Sequence, residues 1–297
     1  MMKKYRNVAA LAAGAAIAIT LSACAGTATP DAGAKASAKA FPAGSTMSKI
    51  QKRGKLIVAV KDDFPLFGMK NPVTGKLEGM DIELAQLLAK DLTGSADNIQ
   101  YVTVSSADRE AFLEQHKVDV VIATYPPNPE RQKAVDFAGP YLMSPVSVMV
   151  RSGYSGINQP SDMNGKNICV TAGSGAVAMV PQNAPSAKLT TFGTITECMQ
   201  GLEQNRVDGV ATTNSILLGL ISQNPGKFEI AKGDLLKDGK VASDNDSIGL
   251  PKGDKAFHDY LDSFLKKIEA HGDWMKIYKD TVGTIAPGDA TPPPILY

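Results

Sequence analysis

Histidine, cysteine and tryptophan are scarce in this chain, at three, three and one among 297 residues. None of the histidines (His116, His258 and His271) stands near a cysteine, which argues against a zinc site. Aromatic residues amount to 6% and no basic tract interleaves with them, so no nucleic-acid partner is expected. Past the first few dozen residues, no apolar run approaches the about 20 residues that a transmembrane helix needs. A catalytic set is missing too: no histidine lies in the loops singled out below, and Ser174 has no base partner evident in the sequence. An enzyme is therefore not expected, and no cofactor or metal is implied.

What is present begins with a processing signal. Lys3, Lys4 and Arg6 precede an apolar stretch over residues 8–21, and Leu21-Ser22-Ala23-Cys24 follows. A basic start, a short apolar core and small residues before the cut describe a secretory signal peptide, here residues 1–23. The Leu-Ser-Ala-Cys ending resembles the lipobox of bacterial lipoproteins. That resemblance implies a lipid-bearing Cys24 as mature N-terminus and an extracytoplasmic chain anchored to the cell membrane. The alternative is an ordinary signal peptide with an incidental cysteine. Residues 24–46, rich in Ala, Gly, Ser, Thr and Lys, cannot bury a core and read as a flexible tether. With Cys24 lipidated, Cys169 and Cys198 remain as a pair in an oxidising compartment. Such a compartment favours a disulfide over two buried thiols. Closing a loop of about 30 residues contributes roughly 3–4 kcal/mol in the chain-entropy model.

The body of the chain repeats a phrase. Lys117-Val118-Asp119-Val120-Val121-Ile122-Ala123-Thr124 returns as Arg206-Val207-Asp208-Gly209-Val210-Ala211-Thr212-Thr213. Each copy follows an amphipathic stretch, residues 107–116 and 195–205, and reads as helix, tight basic turn and β-branched strand. Alternating strands and helices predict α/β lobes. The chain leaves the first lobe near Arg151 and returns near residues 243–247, so the second lobe is inserted into the first and two crossovers form a hinge. The expected division is lobe 1 over 47–150 and 245–283, lobe 2 over 151–244, and a loose tail over 284–297, where three consecutive prolines stand.

Ligands of open α/β sheets sit at the carboxyl ends of strands, which directs attention to three loops. Thr124-Tyr125-Pro126-Pro127-Asn128-Pro129-Glu130-Arg131 is stiffened by prolines and carries a guanidinium, whose parallel donors match a carboxylate. Gly173-Ser174-Gly175 lies between a strand and a helix, where backbone amides favour an anion. In Asp62-Asp63-Phe64-Pro65-Leu66-Phe67-Gly68, Asp63 is placed to meet a cation and Phe64 to cover an apolar ligand surface, unless both phenylalanines belong to the core. A solvated arginine and a plain strand-to-helix turn are the plainer alternatives for the first two loops.

These loops carry a resemblance to the family 3 extracellular solute-binding proteins, the polar amino-acid receptors of ABC importers, and within them to the glutamate-binding branch. The carriers are Pro65-Leu66-Phe67-Gly68 with Glu78-Gly79-Met80-Asp81, residues 118–124 with Arg131, Val135-Asp136-Phe137-Ala138-Gly139-Pro140-Tyr141, Cys169, Gly173-Ser174, Cys198 and Val207-Asp208. The resemblance implies a two-lobed, type II periplasmic-binding-protein-like fold that closes on one amino acid. It further implies a monomer served by a permease and an ATPase. Arg131 then grips the α-carboxylate, helped by Thr124 and the backbone at Ser174, and the two cysteines match a disulfide-forming pair. Two positions depart from the pattern. The family usually has Asp where Asn214 stands, to receive the ammonium, and often a small hydroxyl residue where Pro126 stands. Either Asp63 or another acid compensates, or the ligand is not an ordinary α-amino acid. Enzymes of the cyclohexadienyl dehydratase kind share the fold and are the alternative reading, as is a ligand sensor without transport.

Overall fold

The computed structural model describes residues 40–286 and 290–297. The expected signal peptide, Cys24 and most of the tether lie outside the described residues. Among the described residues, no helix is long and apolar enough to cross a membrane.

Helix α1 (Thr46–Arg53) opens at Ser45, whose hydroxyl accepts from the Ser48 amide, and stops at the left-handed Gly54. The first lobe continues with β1 (Leu56–Val60) and the small ribbon β2 (Asp63–Phe64), β3 (Gly68–Lys70) and β4 (Leu77–Glu78). It goes on through α2 (Met80–Thr93), β5 (Ile99–Thr103), α3 (Arg109–Glu114), β6 (Val120–Tyr125) and the single turn α4 (Arg131–Ala134). The long strand β7 (Val135–Arg151) leads out. The second lobe holds β8 (Asn167–Thr171), α5 (Ala176–Asn183), β9 (Lys188–Phe192), α6 (Ile195–Glu203), β10 (Gly209–Thr213), α7 (Asn214–Gln223), β11 (Phe228–Ile230) and the ribbon β12 (Leu236–Lys237) and β13 (Lys240–Val241). Strand β14 (Ser243–Pro251) returns, and α8 (Lys255–Ala270) and α9 (Asp273–Asp280) close the first lobe.

The repeated phrase becomes β6 and β10, each fully buried and preceded by its amphipathic helix. Parallel strands covered on both faces are apolar throughout rather than alternating. The main sheet runs β5-β1-β6-β14-β7-β10-β8-β9, with β11 also on β7. It passes through both lobes because β7 changes partner along its length. Residues 135–145 pair with β14, and residues 146–151 with β10 and β11. Residues 145–151 are therefore the second half of β7 and not a strand of their own. Gly139, Pro140 and Pro145 break the alternation that marks a strand, so the sequence pattern hides its continuity. β14 likewise runs without interruption over Ser243–Pro251, and its register shifts at Ser247, in a bulge.

Cys169 of β8 and Cys198 of α6 form a disulfide, with Cα atoms 5.5 Å apart. The tail departs from expectation. In its described part Pro293 is buried, the Leu296 amide donates to the Gly139 carbonyl at 2.7 Å, and Asn245 Nδ2 donates to the Tyr297 hydroxyl at 3.0 Å. Three consecutive prolines leave a segment without the amides a helix or ladder needs, but they do not stop its apolar side chains from docking.

Candidate functional site

The loops that follow β6 and β8 meet between the lobes. The Arg131 guanidinium is buried there. Nη1 donates to the Pro126 carbonyl at 2.5 Å, Nη2 reaches across to the Gly173 carbonyl at 2.5 Å, and Nε lies 3.2 Å from Glu110 Oε1. Asn128 holds the start of the turn by accepting from the Arg131 amide at 2.8 Å. Gly173 stands at φ +72, and a Cβ there would come within 2.6 Å of the Ala107 Cα, so at this point only glycine lets the second lobe approach the first so closely.

A second guanidinium lies behind the first. Arg109 donates from Nε to Ser106 O at 3.0 Å, from Nη1 to the Ala123 and Thr124 carbonyls at 3.1 Å each, and from Nη2 to Gly173 O at 3.2 Å. Both arginines sit over the Tyr125 ring, at 4.2 and 5.1 Å. Burial, with Arg131 alongside, lowers the Arg109 pKa to about 10, which leaves it charged at neutral pH.

Carboxylates face this pair. Asp81, in the first turn of α2, is fully buried. It accepts from the Tyr141 hydroxyl at 2.7 Å and the Thr124 amide at 3.1 Å. Burial raises its pKa to about 7 against those bonds. Asp244, on β14, is raised to about 6 by burial, while Arg131 and Arg109 pull it back. Asp246 has no exposure, and neither of its carboxylate oxygens has a hydrogen-bond partner. Burial first, then Asp244 and Asp81, push its pKa well above the usual carboxylate range. The bulge at Ser247 lies beside it, and bulges re-aim side chains.

Two adjoining cavities flank Arg131. One, of about 490 Å³, is walled by residues 126–131, Gly175, Ala178, Met179, Gln182, Lys237, Ser243, Asp244, Asn245 and Tyr297. The other, of about 470 Å³, is walled by Ala107, Glu110, Arg131, Gly173, Ser174 and neighbouring residues. Arg131, Gly173 and Ser174 thus line one cavity.

The Ser174 amide and the remaining expected residues are engaged with other partners. The Ser174 amide donates to Thr171 O at 3.0 Å, within its own turn, and so is not aimed into the cavity. Thr124 is buried with its groups engaged, its hydroxyl on Ala123 O at 2.8 Å. Asp63 accepts from the Ile195 amide at 3.1 Å, at the start of α6 where a carboxylate is favoured, and lies 3.5 Å from the buried Lys61 Nζ. Phe64 is core, under Lys61 at 4.7 Å, and walls neither cavity. Asn214 donates from Nδ2 to Ser147 Oγ at 3.1 Å and lines a different cavity, of about 430 Å³, at the hinge.

Sequence reasoning missed Arg109, Asp244 and Asp246. Arg109 serves backbone carbonyls, which leave no residue pattern. The two aspartates did leave one: carboxylates alternating ahead of an apolar strand, Asp244-Asn245-Asp246-Ser247-Ile248.

The family model described as bacterial extracellular solute-binding proteins, family 3, matches residues 56–284. A glutamine-binding protein of Geobacillus stearothermophilus is 37% identical over 182 residues, covering 61% of this chain and 69% of that protein. The glutamate-binding protein GluB of Corynebacterium glutamicum is 29% identical over 238 residues, 78% of this chain and 80% of that one. Among solved structures, the solute receptor for L-cysteine of Neisseria gonorrhoeae superposes with a TM-score of 0.76 at 28% identity, over 85% of this chain and 100% of the receptor.

Proposed function

Because the chain belongs to the bacterial extracellular solute-binding proteins of family 3, we propose that it captures a polar amino acid, glutamate-like, or a related small carboxylate between its lobes. It then delivers this ligand to an ABC permease with its ATPase, working as a monomer anchored through a lipid on Cys24. The observation that carries the reading is that opposite charges, Arg131 and Asp244, wall one cavity at the seam of the two lobes. A ligand carboxylate competes with the Pro126 and Gly173 carbonyls for the Arg131 donors, and charge-assisted bonds to a carboxylate are the stronger ones. Asp244 supplies the negative charge for an ammonium that Asn214 lacks. Arg109, buried behind Arg131 and sharing the Gly173 carbonyl with it, adds positive charge that favours a carboxylate.

Contacts with both lobes make binding prefer the closed state, so the ligand shifts the population towards closure about the β7 and β14 crossing. A thermal-shift and calorimetric screen of the secreted domain against amino acids and small acids tests the reading. A ligand at 100 times its Kd should stabilise the fold by about 2.7 kcal/mol. No stabilisation by any amino acid or carboxylate defeats it. Turnover of prephenate in a product assay would move the protein to the enzymes of this fold.

A further inference from the structure

We propose that residues 290–297 are a strap across the hinge, and that the Tyr297 side chain is a specificity-determining wall of the ligand cavity. The second half of this inference rests on the reading of the Arg131 cavity given above; the first half does not.

The segment lies beside the hinge and borders both lobes. Residues 292–294 wall the hinge cavity together with Ser144 and Pro145 at the β7 crossover, Asn214 and Leu218 of α7 in the second lobe, and Trp274 in the first. Ile295 packs on the main apolar core. The Leu296 amide then bonds Gly139 O on β7, and the Tyr297 hydroxyl receives Asn245 Nδ2 on β14. One short segment therefore bonds to both of the strands that cross between the lobes.

Its last side chain reaches the site itself. Tyr297 packs on the apolar cluster that holds Tyr125 and Phe137, and it walls the same cavity as Arg131 and Asp244. Asn245, which it engages, stands between Asp244 and Asp246 in the strand. Tyr297 thereby limits the length of the ligand on the side away from Gly173 and steadies the strand that carries both acids. Three prolines suit this work, because a stiff segment loses little backbone freedom on docking.

The experiment compares the unaltered secreted domain, Tyr297→Ala, Tyr297→Phe and a chain lacking residues 290–297. Without ligand, hydrogen exchange is measured at β14 and at residues 128–135. A strap requires that deletion accelerate exchange there by about threefold or more, since local opening sets the rate, while the β1 and β5 amides stay unchanged. With ligand, Tyr297→Ala should raise Kd for the preferred amino acid about tenfold, equivalent to about 1.4 kcal/mol. It should also improve arginine relative to glutamate, whereas Tyr297→Phe should keep the wall and the rank order. Unchanged exchange in the deleted chain overturns the strap. An unchanged Kd and rank order in Tyr297→Ala overturn the wall. If the unaltered chain binds no member of the panel, the amino-acid reading and the wall fall together, and the exchange data still decide the strap.

Discussion

The two copies of the repeated phrase end in opposite chemistry. β6 delivers the chain to Tyr125 and Arg131, into a nest of buried guanidinium and carboxylate groups. β10 delivers it to Thr213 and Asn214, beside serines and a hinge cavity. Their helices are pinned by different means as well. Arg109, at the start of α3, ties its unit to the Ala123 and Thr124 carbonyls, whereas α6 is tied to β8 by the Cys169–Cys198 disulfide. Equivalent strand-and-helix units thus provide equal scaffolding, and the loop after the strand decides which lobe carries the charge.

The contrast between the two pins gives the largest expected effects. Replacing both Cys169 and Cys198 by serine should cost roughly 3–4 kcal/mol in urea unfolding, the entropy of the loop they close. Arg109→Ala should cost about 3 kcal/mol, because it strands buried carbonyls. If Arg109→Ala unfolds at the unaltered urea midpoint, the guanidinium is not a structural counterpart of the disulfide. On the charged side, Arg131→Ala should raise Kd by about 100-fold in calorimetry, since two charge-assisted bonds at about 1.5–3 kcal/mol each are involved. Wild-type affinity would sink its role.

A smaller effect is expected with pH. The pKa values of Asp81 and Asp244 are raised to about 7 and about 6, and that of Asp246 well above its usual 3.8. The folded chain therefore holds more protons than the unfolded chain above pH about 4, and this contribution to stability, complete below that pH, is lost as the pH rises through 6 and 7. Asp246→Asn should raise Tm by about 2–4 °C at pH 7.5 for a gain near 1 kcal/mol, with almost no change at pH 4. A thermal scan showing equal shifts at both pH values contradicts the assignment. Least of all, Asn214→Asp should change Kd by less than about threefold, under 0.7 kcal/mol. A large gain in affinity would show that the neutral side of the comparison does reach the ligand.

Much of this molecule is legible along the chain. The two repeated strand-and-helix units and the disulfide follow from local patterns and cysteine arithmetic. Asp63 and Phe64 show where that reading ends. Their residue types suit a ligand, yet Asp63 accepts from the first amide of a helix of the other lobe and Phe64 lies under Lys61. A side chain's chemistry is local, but its partner is chosen by contacts between distant parts of the chain.

The sequence by itself determined that there are two α/β units, that they alternate strand with helix, and that a guanidinium follows the first repeated strand. These depend on hydrophobic periods of two and 3.6 residues, which every short window displays. Only the tertiary structure decided that β7 serves both lobes, that Asp246 lies buried between Asp81 and Asp244, and that Tyr297 reaches the cavity of Arg131. Burial and charge pairing depend on what packs from elsewhere in the chain, and no window of sequence contains both partners.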